Sequence, residues 1–219
     1  MKIKGAIFDF DGTLVDSMEM WHDWNGAVLT AILKMCKEPP EDDLEEVARP
    51  MSLMQFAEYI HERYGAGNSP EEICERVNSV IRVQYETVIP LKPGVEEFLE
   101  WMSKKGIKMC VATATDKTIV KNYLKQHGIE RYFEEVFSCP EYKTSKDRPF
   151  IYEIALDYLG TKKEETVVFE DAYHCIKTAK DDGFRVIGVE DVVEECNREK
   201  IKNTVDFYAV DIRDAEKYL

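Results

Sequence analysis

A doubly wound α/β fold, a parallel sheet with an inserted helical block, is predicted by three features of the sequence. Short apolar runs bounded by turn residues recur along the chain. Segments of helical composition separate them from about residue 95 onward. The stretch from about residue 16 to residue 88 has no such run and shows only amphipathic helical patterns. Runs this short and this apolar suit strands covered on both faces, as in a parallel sheet between helix layers. Strand and helix in alternation give the doubly wound arrangement.

The first run is Ala6-Ile7-Phe8. Met109-Cys110-Val111-Ala112 follows Gly106, and the weaker Val136-Phe137 reads as a further short strand. Val167-Val168-Phe169, Val186-Ile187-Gly188-Val189 and Phe207-Tyr208-Ala209-Val210 complete the set. Helical composition predicts helices over 95–105, 117–127, 149–159 and 173–183. Within the insertion, Trp21, Trp24, Val28, Ile32 and Met35 share one helical face, and Pro39-Pro40 ends that pattern. A second helix is predicted over about 51–64, and a third from Ser69-Pro70 to about Thr87, with proline well placed at a helix start. So long a block is too large for a simple crossover. The expected organisation is a core domain of residues 1–16 and 90–219 and a helical cap of residues 17–89, joined near 15–17 and 88–93.

Composition narrows the classes of function. The 219 residues are 44% hydrophobic and 33% charged, as in a globular protein, with 43 acids against 29 Lys and Arg and a net charge of −14. So acidic a surface repels phosphate backbones and anionic lipid, which argues against nucleic-acid and membrane partners. A phosphorylated substrate would need locally concentrated positive charge. Cys36, Cys74, Cys110, Cys139, Cys175 and Cys196 are spread singly, with no C-x-x-C pair. Six free thiols and a first strand close to Met1 predict a cytoplasmic protein. No apolar run approaches the roughly 20 residues of a spanning helix.

The strongest chemical signal is Phe8-Asp9-Phe10-Asp11-Gly12-Thr13-Leu14. An apolar strand delivers two carboxylates, spaced i and i+2, to its carboxyl end, the edge where open α/β sheets bind ligands. If the strand persists, Asp9 and Asp11 point to one side; a loop there frees Asp11 to swing. Such a pair can hold a hard cation and keep one oxygen as a nucleophile.

Asp9-Phe10-Asp11-Gly12-Thr13 resembles the first motif of the haloacid dehalogenase superfamily. Thr113, closing the run from Met109, matches the second motif, and Lys146, ahead of Pro149-Phe150-Ile151-Tyr152, matches the third. Val168-Phe169-Glu170-Asp171 matches the fourth, a strand ending in two acids. Lys143 competes with Lys146 for the third motif, and Asp147 stands where the family usually has proline. The resemblance implies a Rossmann-like core with a C1-type cap, as in the family's phosphatases and β-phosphoglucomutase-like enzymes.

By that resemblance, Asp9 is the nucleophile, and Asp11 protonates the leaving oxygen and then activates water. Mg²⁺ is the implied cofactor, since four gathered carboxylates cannot all ionise uncompensated. Its ligands would be Asp9, the backbone carbonyl of Asp11 and Asp171, with Glu170 binding directly or through water. Thr113, the amide of Ala114 and Lys146 would hold the phosphate. Expected partners are a small phosphorylated metabolite and at most a second copy of the chain, as a monomer or homodimer. Asp11 disfavours the dehalogenases of the superfamily. The cap's only lysines, Lys34 and Lys37, lie near the end of its first helix, which disfavours phosphonate hydrolysis through a Schiff base.

A phosphosugar mutase is the competing reading. It must hold a second phosphate, yet Trp21 stands where mutase-like sequences place a cap histidine, His22 is displaced by one, and Asp116 replaces a favoured lysine. Lys117 or Arg49 would have to substitute. In the cap, Trp21, His22, Met51 and Gln55 are the candidate specificity residues. A catalytically silent Mg²⁺-binding or docking protein on the same scaffold is the alternative of a different class.

Overall fold

The computed structural model describes residues 2–18, 20, 27–41, 43–48 and 51–219. The chain divides into two compact units, residues 1–16 with 90–219 and residues 17–89. The first unit is built on a six-stranded, all-parallel sheet. Its strands are β1 (Gly5–Phe8), β2 (Lys108–Thr113), β3 (Val136–Ser138), β4 (Thr166–Glu170), β5 (Arg185–Val189) and β6 (Phe207–Ala209). Their spatial order is β3-β2-β1-β4-β5-β6, which puts β1 in the middle and makes the chain reverse direction across the sheet there. The weak Val136-Phe137 signal is therefore a true strand, at the sheet edge.

Registers align the site. Ile7 pairs Cys110 and Val168, while Phe8 pairs Val111 and Phe169. Because side chains alternate along a strand, residues of like parity share a face. Ile7, Cys110, Ala112 and Val168 pack beneath α8 (Phe150–Leu159) and α9 (Tyr173–Asp181) through Ile151, Tyr152, Ala155, Ile176 and Ala179. On the other face Phe8 stacks on Phe169 at 4.3 Å between ring centroids, and Phe98 of α5 (Val95–Lys104) closes edge-on over both. By the same alternation Glu170, the last residue of β4, follows Val168 onto the face beneath α8, and Asp9, one residue past β1, follows Ile7.

The second unit, in its described part, contains helices and connecting turns and no strand. It contains α1 (Ala27–Leu33), α2 (Leu44–Ala48), α3 (Leu53–Tyr64) and α4 (Pro70–Thr87). Ser52 and Gln55 start α3 with a reciprocal capping box, and Ser69 caps α4 with Pro70 in the first turn. Ile73, Val77, Ile81 and Tyr85 repeat at four-residue spacing and are buried along α4. The short helices α2, α7 (Cys139–Tyr142) and α10 (Arg198–Thr204) have no counterpart in the sequence reading. All six cysteines are free thiols. Among the described residues, no helix is long and apolar enough to cross a membrane.

Candidate active site

The site forms where β1 and β4 end side by side. Strand β1 stops at Phe8, but the amide of Asp9 still donates to the carbonyl of Phe169, 2.9 Å away, so Asp9 leaves the sheet in register with Glu170. Beyond Asp9 the chain turns, with the amides of Leu14 and Val15 both donating to the carbonyl of Phe10. Of the two outcomes open for Asp11, the loop is the one found. Its Oδ2 accepts a hydrogen bond from the Thr115 hydroxyl at 2.7 Å. Gly12 makes the turn at φ +73°, and a Cβ there would lie 2.3 Å from Oδ2 of Asp171. Both the left-handed backbone and the closeness of Asp171 demand glycine at this position.

Lys146 arrives from the loop before α8 and is inserted between two acids. Its Nζ lies 2.5 Å from Oδ1 of Asp9 and 2.6 Å from Oε1 of Glu170. Lys143 is exposed, so Lys146 is the lysine that meets the carboxylates. The Tyr152 hydroxyl donates to the same Oε1 at 2.7 Å. Asp171 sits one residue on and accepts from the Thr13 hydroxyl at 3.1 Å. One oxygen from each of Asp9, Glu170 and Asp171 lies within 4.8 Å of the others.

Thr113 is fully buried at the end of β2, and its hydroxyl oxygen accepts the amide of Thr115. The Ser138 hydroxyl, at the end of β3, donates to the carbonyl of Thr115 and anchors this turn. Ala114 is exposed at its tip. Asp116 is used as a helix cap, accepting from the amides of Thr118 and Ile119 at the start of α6 (Lys117–Gln126). Lys117 pairs with Glu141 at 3.0 Å and Glu135 at 3.5 Å.

Trp21, His22 and Arg49 lie outside the described residues. Gln55 spends its side-chain oxygen on the amide of Ser52, and half-buried Met51 precedes that cap. Thr115, Ser138 and Tyr152 were missed by the sequence reading, which took in Thr13 as the end of the first motif. Thr115 was within reach of it, since a second hydroxyl two residues after Thr113 in a turn is a recognisable signal.

Burial dominates the electrostatics. It pushes the Asp9 carboxyl up to about 7, helped by Glu170 and opposed by Lys146. Burial, Asp9 and Glu170 likewise hold Asp171 well above the usual carboxylate range. For Lys146, burial works against the charge, but Asp9 and Glu170 outweigh it and keep the ammonium protonated. One lysine is thus set among three acids. Oε2 of Glu170 is buried with no hydrogen-bond partner among the described residues. An orphaned carboxylate oxygen beside two more carboxylates is an oxygen-rich donor set that fits a hard divalent cation.

The signs are definite. The Asp9 carboxyl, with its folded pKa raised, stabilises the metal-free protein fully below the unfolded value near 3.8, and that contribution is lost as pH rises through the folded value near 7. A divalent cation binds only the ionised forms and reverses the loss. Adding Mg²⁺ should therefore raise the melting temperature more at about pH 8 than at about pH 5.5. Scanning fluorimetry with and without chelator at both pH values checks this.

The family profile of haloacid dehalogenase-like hydrolases matches residues 6–189, from β1 through β5, and takes in all four clustered segments. The chain belongs to that family. Members of the family generally use a divalent metal, and Asp9, Glu170 and Asp171 form an acidic cluster that could bind one. Among its relatives is the phosphorylated carbohydrates phosphatase of Thermotoga maritima, 27% identical over 188 residues, with 85% of each chain covered. Hexitol phosphatase A of Escherichia coli is 27% identical over 197 residues, covering 86% of this chain and 84% of that one. The crystal structure of CbbY from Rhodobacter sphaeroides in complex with phosphate shares the fold at a TM-score of 0.81 and 20% identity, covering 97% and 96% of the two chains.

Proposed function

We propose that this haloacid dehalogenase-like hydrolase is a Mg²⁺-dependent phosphatase acting on a small phosphorylated metabolite, with a sugar or sugar-alcohol phosphate as the first substrate to test. The observation that carries the reading is Lys146 held between Asp9 and Glu170 with Asp171 alongside. A nucleophilic carboxylate, a cation and a metal-ligand set meet at one sheet edge. The activities for which the Thermotoga and Escherichia relatives are named support the substrate class.

Asp9 attacks phosphorus, the bond to the leaving oxygen breaks, and an aspartyl-phosphate forms on Asp9. Asp11 gives the leaving oxygen its proton, then takes one from the water that attacks the aspartyl-phosphate. Lys146 sets its positive charge beside the transferring oxygens, and the Thr113 hydroxyl with the Ala114 amide supplies donors to them. Mg²⁺, held by Asp9, the Asp11 carbonyl, Asp171 and Glu170, would neutralise charge on the phosphoryl group and align it. Charge neutralisation and alignment are most of what phosphoryl transfer requires.

The mutase reading needs a second phosphate-binding cation. After Thr113 the two nearest charged residues are already engaged, Asp116 as a helix cap and Lys117 in ion pairs with Glu141 and Glu135. That favours hydrolysis. The test is phosphate release from hexose and hexitol phosphates, nucleotides, phosphoglycolate, pyridoxal phosphate, pyrophosphate and p-nitrophenyl phosphate, with Mg²⁺ or with chelator. We expect Mg²⁺-dependent release with the highest kcat/KM on a sugar or hexitol phosphate. Conversion of glucose 1-phosphate to glucose 6-phosphate without phosphate release would replace this reading with the mutase. No turnover of any compound would leave the silent metal-binding protein.

A further inference from the structure

Glu170 is gripped unevenly. Oε1 accepts two charged or strongly polar donors, Lys146 at 2.6 Å and the Tyr152 hydroxyl at 2.7 Å, while Oε2 accepts none among the described residues. Tyr152 has no exposed surface, so no water competes for its hydroxyl, and burial with Glu170 beside it keeps the phenol protonated and donating. Its place is fixed by the core. Tyr152 sits in the first turn of α8 with its ring packed 6.2 Å from that of Phe184, and the Lys146 ammonium lies 5.9 Å from its ring centroid.

The two donors differ in constancy. Lys146 is divided between Glu170 and Asp9, and in the proposed chemistry it also turns toward a phosphoryl group. Among the described residues, the Tyr152 hydroxyl has no other hydrogen-bond acceptor. A carboxylate pinned through one oxygen presents the other in a fixed direction, at no ordering cost when a cation arrives.

We propose that Tyr152 is a positioning residue for the divalent cation: its hydroxyl holds Oε1 of Glu170, so that the unpartnered Oε2 keeps one fixed direction within the cluster of Asp9, Glu170 and Asp171. The inference rests on reading this cluster as the metal centre. It goes further in naming the group that keeps Glu170 in place.

The experiment measures the binding of Mg²⁺ and Mn²⁺ alone, by calorimetry and by the electron paramagnetic resonance signal of free Mn²⁺, in the parent, Tyr152→Phe, Glu170→Ala and the double variant. Tyr152→Phe should weaken the dissociation constant about 10- to 100-fold, the usual range for losing a partner that orients a metal ligand. Turnover should return when Mg²⁺ is raised to saturation, so the change falls on the apparent KM for Mg²⁺ rather than on kcat. In the Glu170→Ala background the same substitution should change the affinity less than about twofold, since its effect passes through Glu170. Circular dichroism in chelator establishes that each variant is folded, and Tyr152→Met, which should show the same loss, serves if the phenylalanine variant is not. A dissociation constant within about twofold of the parent, or an equal loss with and without Glu170, overturns the proposal. A parent that binds neither ion overturns the metal centre itself, and the proposal with it.

Discussion

Asp9→Asn should give a folded protein whose turnover falls on the order of 10⁴-fold or more, because the atom that bonds to phosphorus is gone. The substitution is nearly isosteric. Asp9 is already held partly neutral by burial, with its carboxyl near 7, so an uncharged amide is not foreign to the pocket. Lys146 keeps Glu170 as a partner. Thermal unfolding close to the parent's, together with lost phosphate release and no phosphate label trapped on the protein, would match expectation. Turnover within about tenfold of the parent would remove Asp9 from the role of nucleophile.

Lys146→Met should cost stability as well as activity. The lysine is 5% exposed in its side chain and neutralises two acids that the sheet presses together. Removing one partner from a buried ion pair leaves uncompensated charge, at a cost of about 3–5 kcal/mol. The loss should shrink as pH falls, because the orphaned Asp9 carboxyl can then protonate, and should be largest in chelator at about pH 8. Denaturant unfolding across that pH range checks the sign. A loss that grows toward acid pH would mean that Lys146 does not carry its charge there. Phosphate release by the same variant should be weak even with saturating Mg²⁺, since the cation beside the transferring oxygens is missing.

The legible parts of this structure were those written into local pattern. Ile7 and Asp9, like Val168 and Glu170, alternate as a strand requires, so local pattern alone assigns the two acids to the carboxyl edge of a parallel sheet. Residues 16–88 carried helical periodicity and no apolar run, and their described part contains α1 to α4 and no strand. Three things escaped, each for a physical reason. Asp11 leaves the strand in a turn, and the hydroxyl that holds its carboxylate, that of Thr115, is over a hundred residues away in the chain. Tyr152 reads as one more apolar residue of a helix, and only the packing of α8 on the sheet turns its hydroxyl toward Glu170. The helices α2, α7 and α10 are only 5, 4 and 7 residues long, too short to show a periodicity.

The two ends of the helical insertion leave the sheet unit together. Val15 and Leu91 form an antiparallel bridge, Asp16 donates its amide to Pro90 at 3.0 Å, and Lys92 donates to Leu14 at the same distance. The outgoing and returning strands of chain are thus stitched to one another before the insertion begins. Closing a loop costs only about 0.6 kcal/mol more each time its length doubles, so the sheet unit is nearly indifferent to what is strung between those stitches. A gene could therefore exchange this insertion for a longer, shorter or wholly different one while the catalytic sheet stayed as it is, leaving the two halves of the molecule to evolve at separate tempos.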